Sequence, residues 1–240
     1  MPMFDNGDVH LYYEEHGEGF PILLLAPGGM RSSGPIWGTA APWNPIDQLS
    51  GQYRVIVMDQ RNAGRSSAPI RATDSWPVYI QDQLALLDHL GIEKCHLAGM
   101  CIGGPYIMGI IEAAPERVAS AVIFQTIGLD DNRHAFHEMF DSWAKELKAN
   151  RPDVQDADLE SFKNAMYGGD FLFNVSREFV SKVQTPLLVL MGNDLHHPEV
   201  SSRELADLAP NATLIERWKQ PEDQPAAKEA VEKFLAEHTP

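Results

Sequence analysis

Short apolar runs alternate along the chain with longer stretches in which apolar residues recur every three or four positions. A short apolar run predicts a β-strand, and the longer periodicity predicts a helix. The predicted strands cover residues 9–14, 21–26, 53–58, 95–100, 118–125, 186–191 and 212–215. Such alternation is typical of an α/β fold, in which helices cover both faces of a mostly parallel sheet.

A different pattern occupies residues 128–182, which follow the predicted strand 118–125. This segment is rich in Trp, Phe and acidic residues, and its apolar residues recur at helical spacing. We predict that it forms a short helical lid inserted into a single α/β domain that spans residues 1–240. The sheet pattern returns after the lid, with further helices predicted near 199–208 and 226–237.

The chain has 240 residues and a formal net charge of −15, since 19 Lys and Arg face 34 Asp and Glu. This charge repels phosphate backbones and anionic lipids, so we expect neither a nucleic-acid partner nor a membrane partner. The longest uncharged stretch, 97–111, is shorter than the roughly 20 residues of a membrane span and is interrupted by Gly and Pro. The polar and acidic residues 1–19 do not resemble a signal peptide.

Cys95 begins the predicted strand 95–100, and Cys101 directly follows that strand, six positions after Cys95. An extended segment of that length holds their Cα atoms roughly 20 Å apart, so they cannot form a disulfide with each other. Unpaired cysteines are typical of a reducing compartment, and we therefore expect a cytoplasmic protein.

The sequence around Cys101, Gly99-Met100-Cys101-Ile102-Gly103-Gly104, joins a predicted strand to a predicted helix. Small residues two positions before and after the central residue are the pattern of a nucleophile elbow, here with cysteine where serine is usual. A helix N-terminus directly behind the cysteine favours an anionic sulfur. The pattern therefore predicts a nucleophilic thiol at Cys101.

With four further segments, residues 8–238 of the chain resemble the α/β-hydrolase family. Residues 25–30 are similar to the family's oxyanion-hole turn, and residues 59–66 resemble its D-x-R-G-x-G-x-S turn. Residues 114–118 resemble the segment before its sixth strand. Residues 192–198, here called the acid loop, resemble the turn that carries its catalytic acid.

This resemblance implies an α/β-hydrolase fold and a set of site residues. Pro27 stands where the family's oxyanion turn has histidine, and Asn62 stands where its next turn has glycine. The resemblance assigns the oxyanion-hole amides to Gly29 and Ile102. It also assigns the catalytic acid to Asp194.

The family's catalytic histidine normally lies between the last strand and the last helix, but residues 215–225 contain no histidine. Two of the chain's 9 histidines, His196 and His197, lie in the acid loop, which borders the nucleophile in this fold. We therefore predict that His197 is the substitute base and lies within about 4 Å of the Cys101 sulfur. The alternative is that both histidines only cap the loop.

Three functions are compatible with these residues. In the first, a hydrolase, Cys101 attacks an ester, a lactone or a related small-molecule acyl substrate while the amides of Gly29 and Ile102 hold the oxyanion. His197 acts as the base and Asp194 orients it. In the second, an acyltransferase or thioesterase-like enzyme, a thiol or amine intercepts the acyl group on Cys101. In the third, a ligand-binding protein without catalysis, Cys101 is merely a small buried residue.

Three aromatic residues, Trp43, Trp143 and Tyr167, are the candidate substrate-binding residues. Together they indicate an apolar pocket for the acyl group. The alternative is that they pack in the core or within the lid.

Four further polar residues are assigned no catalytic part. Asp59 and Arg61 are expected to form an ion pair that braces their turn. His134 and His137 have the His-x-x-His spacing of some metal sites, but no third ligand is grouped with them. We therefore expect no metal, and nothing in the sequence indicates a cofactor.

Overall fold

The computed structural model describes residues 2–240. Within them, eight strands form one sheet in the order β1-β2-β4-β3-β5-β6-β7-β8. Strands β3 to β8 pair in parallel, whereas β1 pairs antiparallel with β2, and β2 with β4. The strands are β1 Met3–Asn6, β2 Val9–His16, β3 Phe20–Leu25, β4 Tyr53–Met58, β5 Cys95–Cys101, β6 Val118–Thr126, β7 Leu187–Leu190 and β8 Ala212–Ile215. The predicted α/β class with a mostly parallel sheet is confirmed.

Nine α-helices accompany this sheet in the described part of the chain. They are α1 Trp37–Ala40, α2 Pro45–Leu49, α3 Trp76–His89, α4 Gly103–Ala113, α5 Arg133–Asn150, α6 Asp156–Tyr167, α7 Arg177–Val180, α8 Glu199–Leu208 and α9 Gln224–Glu237. Helix α4 packs on β5 and β6, α3 packs on α4, and α8 packs on β7 and β8. Helices α5, α6 and α7 all lie in the segment 128–182. Among residues 2–240, no helix is both long enough and apolar enough to cross a bilayer.

Strands β3 and β5 lie in the middle of the sheet because their residues are apolar on both faces. All seven residues of β5 are buried, as are Leu23 and Leu24 of β3. Burial from both sides is typical of central parallel strands, and it makes this part of the sheet the rigid support of whatever its carboxyl ends carry. The carboxyl end of β5 is Cys101.

Strand β1 was not among the predicted strands. Its four residues, Met3–Asn6, are mostly exposed, and only Phe4 is partly buried. A strand held by antiparallel pairing to β2, without an apolar face of its own, leaves no periodic signal in the sequence. The sequence pattern detects strands through their buried residues, so it could not predict β1, which is mostly exposed.

The expected ion pair between Asp59 and Arg61 is wrong. The Arg61 guanidinium donates instead to both carboxylate oxygens of Asp82, at 2.6 and 2.9 Å, with Asp74 at 3.8 Å. Asp59 accepts from the backbone amides of Gly34, at 2.9 Å, and Arg65, at 2.8 Å. Asp59 thus ties the turn after β4 to the segment after β3, because a carboxylate with two oxygens satisfies amides from both.

Candidate active site

Cys101 is the last residue of β5 and lies in the left-handed region of backbone space, with φ of +62°. A residue other than glycine is strained there, and such strain is characteristic of functional turns. The flanking glycines are required by packing: a Cβ on Gly99 would lie 2.8 Å from the Gly103 carbonyl oxygen. A Cβ on Gly103 would lie 2.6 Å from the Leu25 carbonyl oxygen. The local structure is therefore a strand–turn–helix elbow that holds the thiol at its tip.

Two backbone amides approach the sulfur as hydrogen-bond donors, those of Gly28 and Ile102. Ile102 is the residue expected from the sequence, but Gly28 lies one position before the expected Gly29. Gly28 has φ of +116°, a conformation that favours glycine, and it directly precedes a short 3-10 helix at Gly29–Arg31. The Ser32 hydroxyl fixes this turn by donating to the Ala26 carbonyl oxygen at 2.6 Å. When the sulfur bonds to a carbonyl carbon, these amides are in a position to donate to the carbonyl oxygen beside it and to stabilise its negative charge.

The acid loop holds His197 and Asp194 in contact. The His197 Nδ1–H donates to the two carboxylate oxygens of Asp194, at 2.7 and 2.9 Å. The same carboxylate accepts from the backbone amides of His196, at 3.0 Å, and His197, at 3.1 Å. Burial alone would raise the pKa of Asp194, but these donors and the charge on His197 hold it at about 2.

The other nitrogen of the His197 ring is available to Cys101. Since Asp194 engages Nδ1, the attraction between the ring and the thiol acts through Nε2, which is buried and makes no well-aligned hydrogen bond. Burial opposes a charge on the ring, yet the sulfur and Asp194 raise the pKa of His197 to about 9. Loose alignment is common for catalytic hydrogen bonds in the absence of substrate.

The two cysteines of the chain have opposite electrostatic environments. Burial raises the pKa of Cys95 to about 12. Burial also acts to raise the pKa of Cys101, but the positive charge of His197 and the two amide donors outweigh it, and the pKa is lowered. The arrangement thus favours a thiolate–imidazolium pair between Cys101 and His197.

The segment between β8 and α9 carries a tryptophan at its centre. Trp218 is buried, and its indole N–H donates to the Met191 carbonyl oxygen at 2.7 Å. The next residue, Lys219, places its ammonium 4.0 Å from a carboxylate oxygen of Asp194. Lys219 was not identified from the sequence, although its position in the segment from which the family usually draws its histidine was a signal.

Of the three predicted aromatic residues, Tyr167 has a hydroxyl close enough to Cys101 for the sulfur to act on its pKa. Burial and the Cys101 sulfur raise the pKa of Tyr167. Its hydroxyl donates to the Met30 sulfur at 3.8 Å, which places it beside the turn that carries Gly28. Tyr167 therefore lies beside both the thiol and residues 25–30, here called the oxyanion turn.

Trp43 and Trp143 pack against other aromatic rings. The Trp43 ring packs edge-on against Phe124 and Trp218, at centroid distances of 5.9 and 5.7 Å. The Trp143 ring packs within the segment 128–182, 5.2 Å from Phe140 and 6.0 Å from Phe162. Both rings are buried, and Phe140 also packs on Tyr167 at a centroid distance of 6.4 Å.

Helix α5 is fastened over the oxyanion turn. The Arg31 guanidinium donates to both carboxylate oxygens of Glu146, at 2.8 and 3.0 Å, and to the Ser142 hydroxyl at 3.0 Å. The Met139 side chain of the same helix lies so close to Gly29 that a Cβ there would come within 2.7 Å of it. Cys101 keeps 8% of its surface exposed beneath these contacts.

Within residues 2–240, no group of three or more His, Cys, Asp or Glu side chains is arranged to hold a metal ion. The site described above is instead built from a thiol, an imidazole, a carboxylate and backbone amides. This set matches the needs of acyl transfer to a nucleophile.

The sequence model of the alpha/beta hydrolase fold matches residues 21–216. The chain belongs to the α/β hydrolase family. The putative carbamate hydrolase RutD of Azorhizobium caulinodans is 41% identical over 124 residues, which are 51% of this chain and 43% of that protein. The carboxylesterase YbfK of Bacillus subtilis is 31% identical over 131 residues, 55% of this chain and 41% of that protein. These matches span less than half of the length of either relative.

A solved structure extends the likeness of this α/β hydrolase to nearly its whole length. The enol-lactonase of Burkholderia xenovorans LB400 superposes with a TM-score of 0.70, covering 98% of this chain and 100% of that chain at 20% identity. Identity at this level shows the shared fold alone, so function is argued from the site.

Proposed function

We propose that this α/β hydrolase cleaves an ester, a lactone or a related acyl substrate through a covalent intermediate on Cys101. The position of Cys101 carries the proposal: a strained elbow residue, with two amide donors on its sulfur and a cationic imidazole beside it. An inert core thiol has none of these features, as Cys95 illustrates with its pKa of about 12.

In the first half-reaction the Cys101 thiolate attacks the carbonyl carbon, and a sulfur–carbon bond forms while the carbonyl electron pair moves onto oxygen. The amides of Gly28 and Ile102 then stabilise the oxyanion. As the intermediate collapses, the bond to the leaving group breaks and the His197 imidazolium gives its Nε2 proton to the departing oxygen or nitrogen. The products are a thioester on Cys101, the free leaving group and a neutral His197.

In the second half-reaction a water molecule attacks the thioester. Neutral His197 accepts a proton from the water at Nε2, while Asp194 holds Nδ1–H and stabilises the imidazolium that forms. Collapse of the second tetrahedral intermediate releases a carboxylic or carbamic acid and restores the thiolate–imidazolium pair. This sequence uses the His197 ring first as an acid and then as a base.

The substrate class rests on the carbonyl chemistry of the site and on its surroundings. The similar proteins are named as a putative carbamate hydrolase, a carboxylesterase and an enol-lactonase. Each of these names describes a reaction at an acyl carbonyl. Tyr167 beside the sulfur and the apolar lid suit an acyl group that is itself apolar. We also propose that the lid, residues 128–182, opens to admit this substrate, since α5 covers the oxyanion turn.

Alkylation by iodoacetamide tests the nucleophile without knowledge of the substrate. At pH 6.5 we expect Cys101 to react faster than free cysteine, because a thiolate persists there, and Cys95 to remain unlabelled. Cys101→Ala should abolish labelling, whereas Cys95→Ala should leave it unchanged. Labelling no faster than that of free cysteine would remove the basis of the proposal.

Hydrolysis of p-nitrophenyl esters tests the full reaction. We expect Cys101→Ala to abolish turnover, and His197→Ala to slow deacylation more than acylation, because water needs the base more than a thiol does. Acceleration of the steady state by added thiols would instead identify an acyltransferase. Turnover that survives in Cys101→Ala would contradict covalent catalysis at this residue.

A further inference from the structure

In this chain the acid and the base lie on the same loop. Asp194 and His197 are three residues apart in the acid loop, so a displacement of the loop moves both away from Cys101 together. The Asp194 side chain is also 48% exposed, and water competes for its oxygens. Contacts from outside the loop are therefore needed to keep Asp194 and His197 in position beside Cys101.

Lys219 supplies such a contact from the segment after β8. Its ammonium donates to the Asn193 side-chain oxygen at 2.5 Å and lies 4.0 Å from an Asp194 carboxylate oxygen. The side chain is only 23% exposed, and burial lowers the pKa of Lys219 while Asp194 opposes that effect.

The backbone of Lys219 is itself held in place. The preceding Trp218 is anchored by its hydrogen bond to the Met191 carbonyl and by edge-on packing against Trp43 at 5.7 Å. The Lys219 carbonyl accepts from the Gln224 side-chain amide at 3.0 Å. The Lys219 ammonium thus extends toward the acid loop from a backbone that is held in place, unlike the ammonium of a lysine on an exposed helix.

We propose that Lys219 is a positioning residue, which fixes the acid loop through Asn193 and Asp194 so that Asp194 stays aligned with the His197 imidazole. The inference rests on the proposed function, because it assigns Lys219 a task within the same catalytic pair. The ionisable groups around that pair are Cys101 from the elbow, Lys219 itself, and His196 of the same loop, whose ring lies 6.3 Å from the His197 ring. Asp130 lines the surface recess that the acid loop also borders.

Positioning and simple charge predict opposite effects of removing the ammonium. A nearby cation disfavours protonation of His197, so loss of its charge alone would raise the pKa of the imidazole. Loss of alignment would weaken the contact between Asp194 and His197 and lower that pKa. The direction of the change therefore separates the two interpretations.

The test compares Lys219→Met with Lys219→Arg, and uses Lys182→Met as a control. Lys182 is 68% exposed and pairs with Glu178 on the surface. For Lys219→Met we expect alkylation of Cys101 at pH 6.5 to slow by on the order of tenfold, which corresponds to a loss of about one pKa unit in the preference for the thiolate–imidazolium pair. We also expect the alkaline limb of kcat/KM for an alkyl ester, whose leaving group must take a proton from His197, to move to lower pH from near pH 9 in the unmodified protein. Lys219→Arg should restore both properties.

Three results would overturn the inference: equal behaviour of Lys219→Met and Lys182→Met, an alkaline limb that moves to higher pH, or a lowered melting temperature with unchanged pH dependence. The alkylation measurement is made without substrate and reports on the thiolate directly. Activity that survives in Cys101→Ala would instead overturn the proposed function, and it can be recognised whatever Lys219→Met does.

Discussion

Removal of the Cys101 sulfur should change the acidity of His197, and this change tests the thiolate–imidazolium pair directly. In the intact site the Cys101 thiolate is the largest influence that raises the pKa of His197, followed by Asp194, while burial acts in the opposite direction. Cys101→Ala deletes the sulfur and leaves the Asp194 contact in place. The imidazole should therefore become a weaker base.

The size of the effect follows from the pKa of His197, which rises from an ordinary 6.5 to about 9. A rise in pKa of about 2.5 units corresponds to a free energy of about 3 kcal/mol in favour of the charged ring. Since the sulfur outweighs Asp194 in this balance, its removal should cost at least about half of that preference. We therefore expect the pKa of His197 to fall by about one unit or more in Cys101→Ala.

Nuclear magnetic resonance of the imidazole carbon-bound protons measures this pKa as a titration curve. The His197 signal is assigned as the one that disappears in His197→Ala. Cys95→Ala serves as the matched control, because Cys95 is also buried but is unpaired with any histidine, and the His197 curve should not move. If His197 still titrates near pH 9 in Cys101→Ala, the sulfur carries no negative charge at neutral pH and the reasoning fails.

Three further predictions concern pH, the lid and the core. The rate of acylation by an alkyl ester should fall above about pH 9 in a stopped-flow assay, because His197 then loses the proton that an alkoxide leaving group requires. Glu146→Gln breaks an exposed pair with Arg31, so alkylation of the thiol by a bulky maleimide should accelerate a few-fold at most relative to iodoacetamide. Arg61→Met leaves the Asp82 carboxylate buried and unpaired, and urea unfolding should show a loss of about 3–5 kcal/mol.

The sheet and the elbow could be predicted because their requirements are local. Central strands need residues that are apolar on both faces, and the elbow needs glycine where a Cβ would meet backbone, as at Gly99 and Gly103. The acid loop could be placed near the thiol by its resemblance to the turn that carries the catalytic acid in the α/β-hydrolase family. The assignment of His197 rests on that resemblance and on the elimination of the other histidines.

Other features depend on contacts between segments far apart in the chain, and pattern alone did not specify them. Gly28 and Gly29 both have positive φ, at +116° and +57°, and which amide faces the sulfur depends on how this turn closes. The partner of Arg61 lies 21 residues away in α3, whereas the sequence suggested a neighbour two positions off. Trp143 is helically spaced in the lid, and the same spacing fits either a pocket or a packed interior.

The cysteine at position 101 and the unusual position of His197 are consistent with each other. A serine hydroxyl loses its proton only during attack, so its base must be aligned at that moment, but the buried His197 Nε2 has no well-aligned partner. A thiol can transfer its proton beforehand, and the lowered pKa of Cys101 and the raised pKa of His197 both favour that transfer. In the proposed reaction, acylation then depends more on the positive charge of His197 than on the orientation of its Nε2 atom. Alignment becomes important only when water must be activated, and a loop that carries both Asp194 and His197 can make that adjustment as one unit.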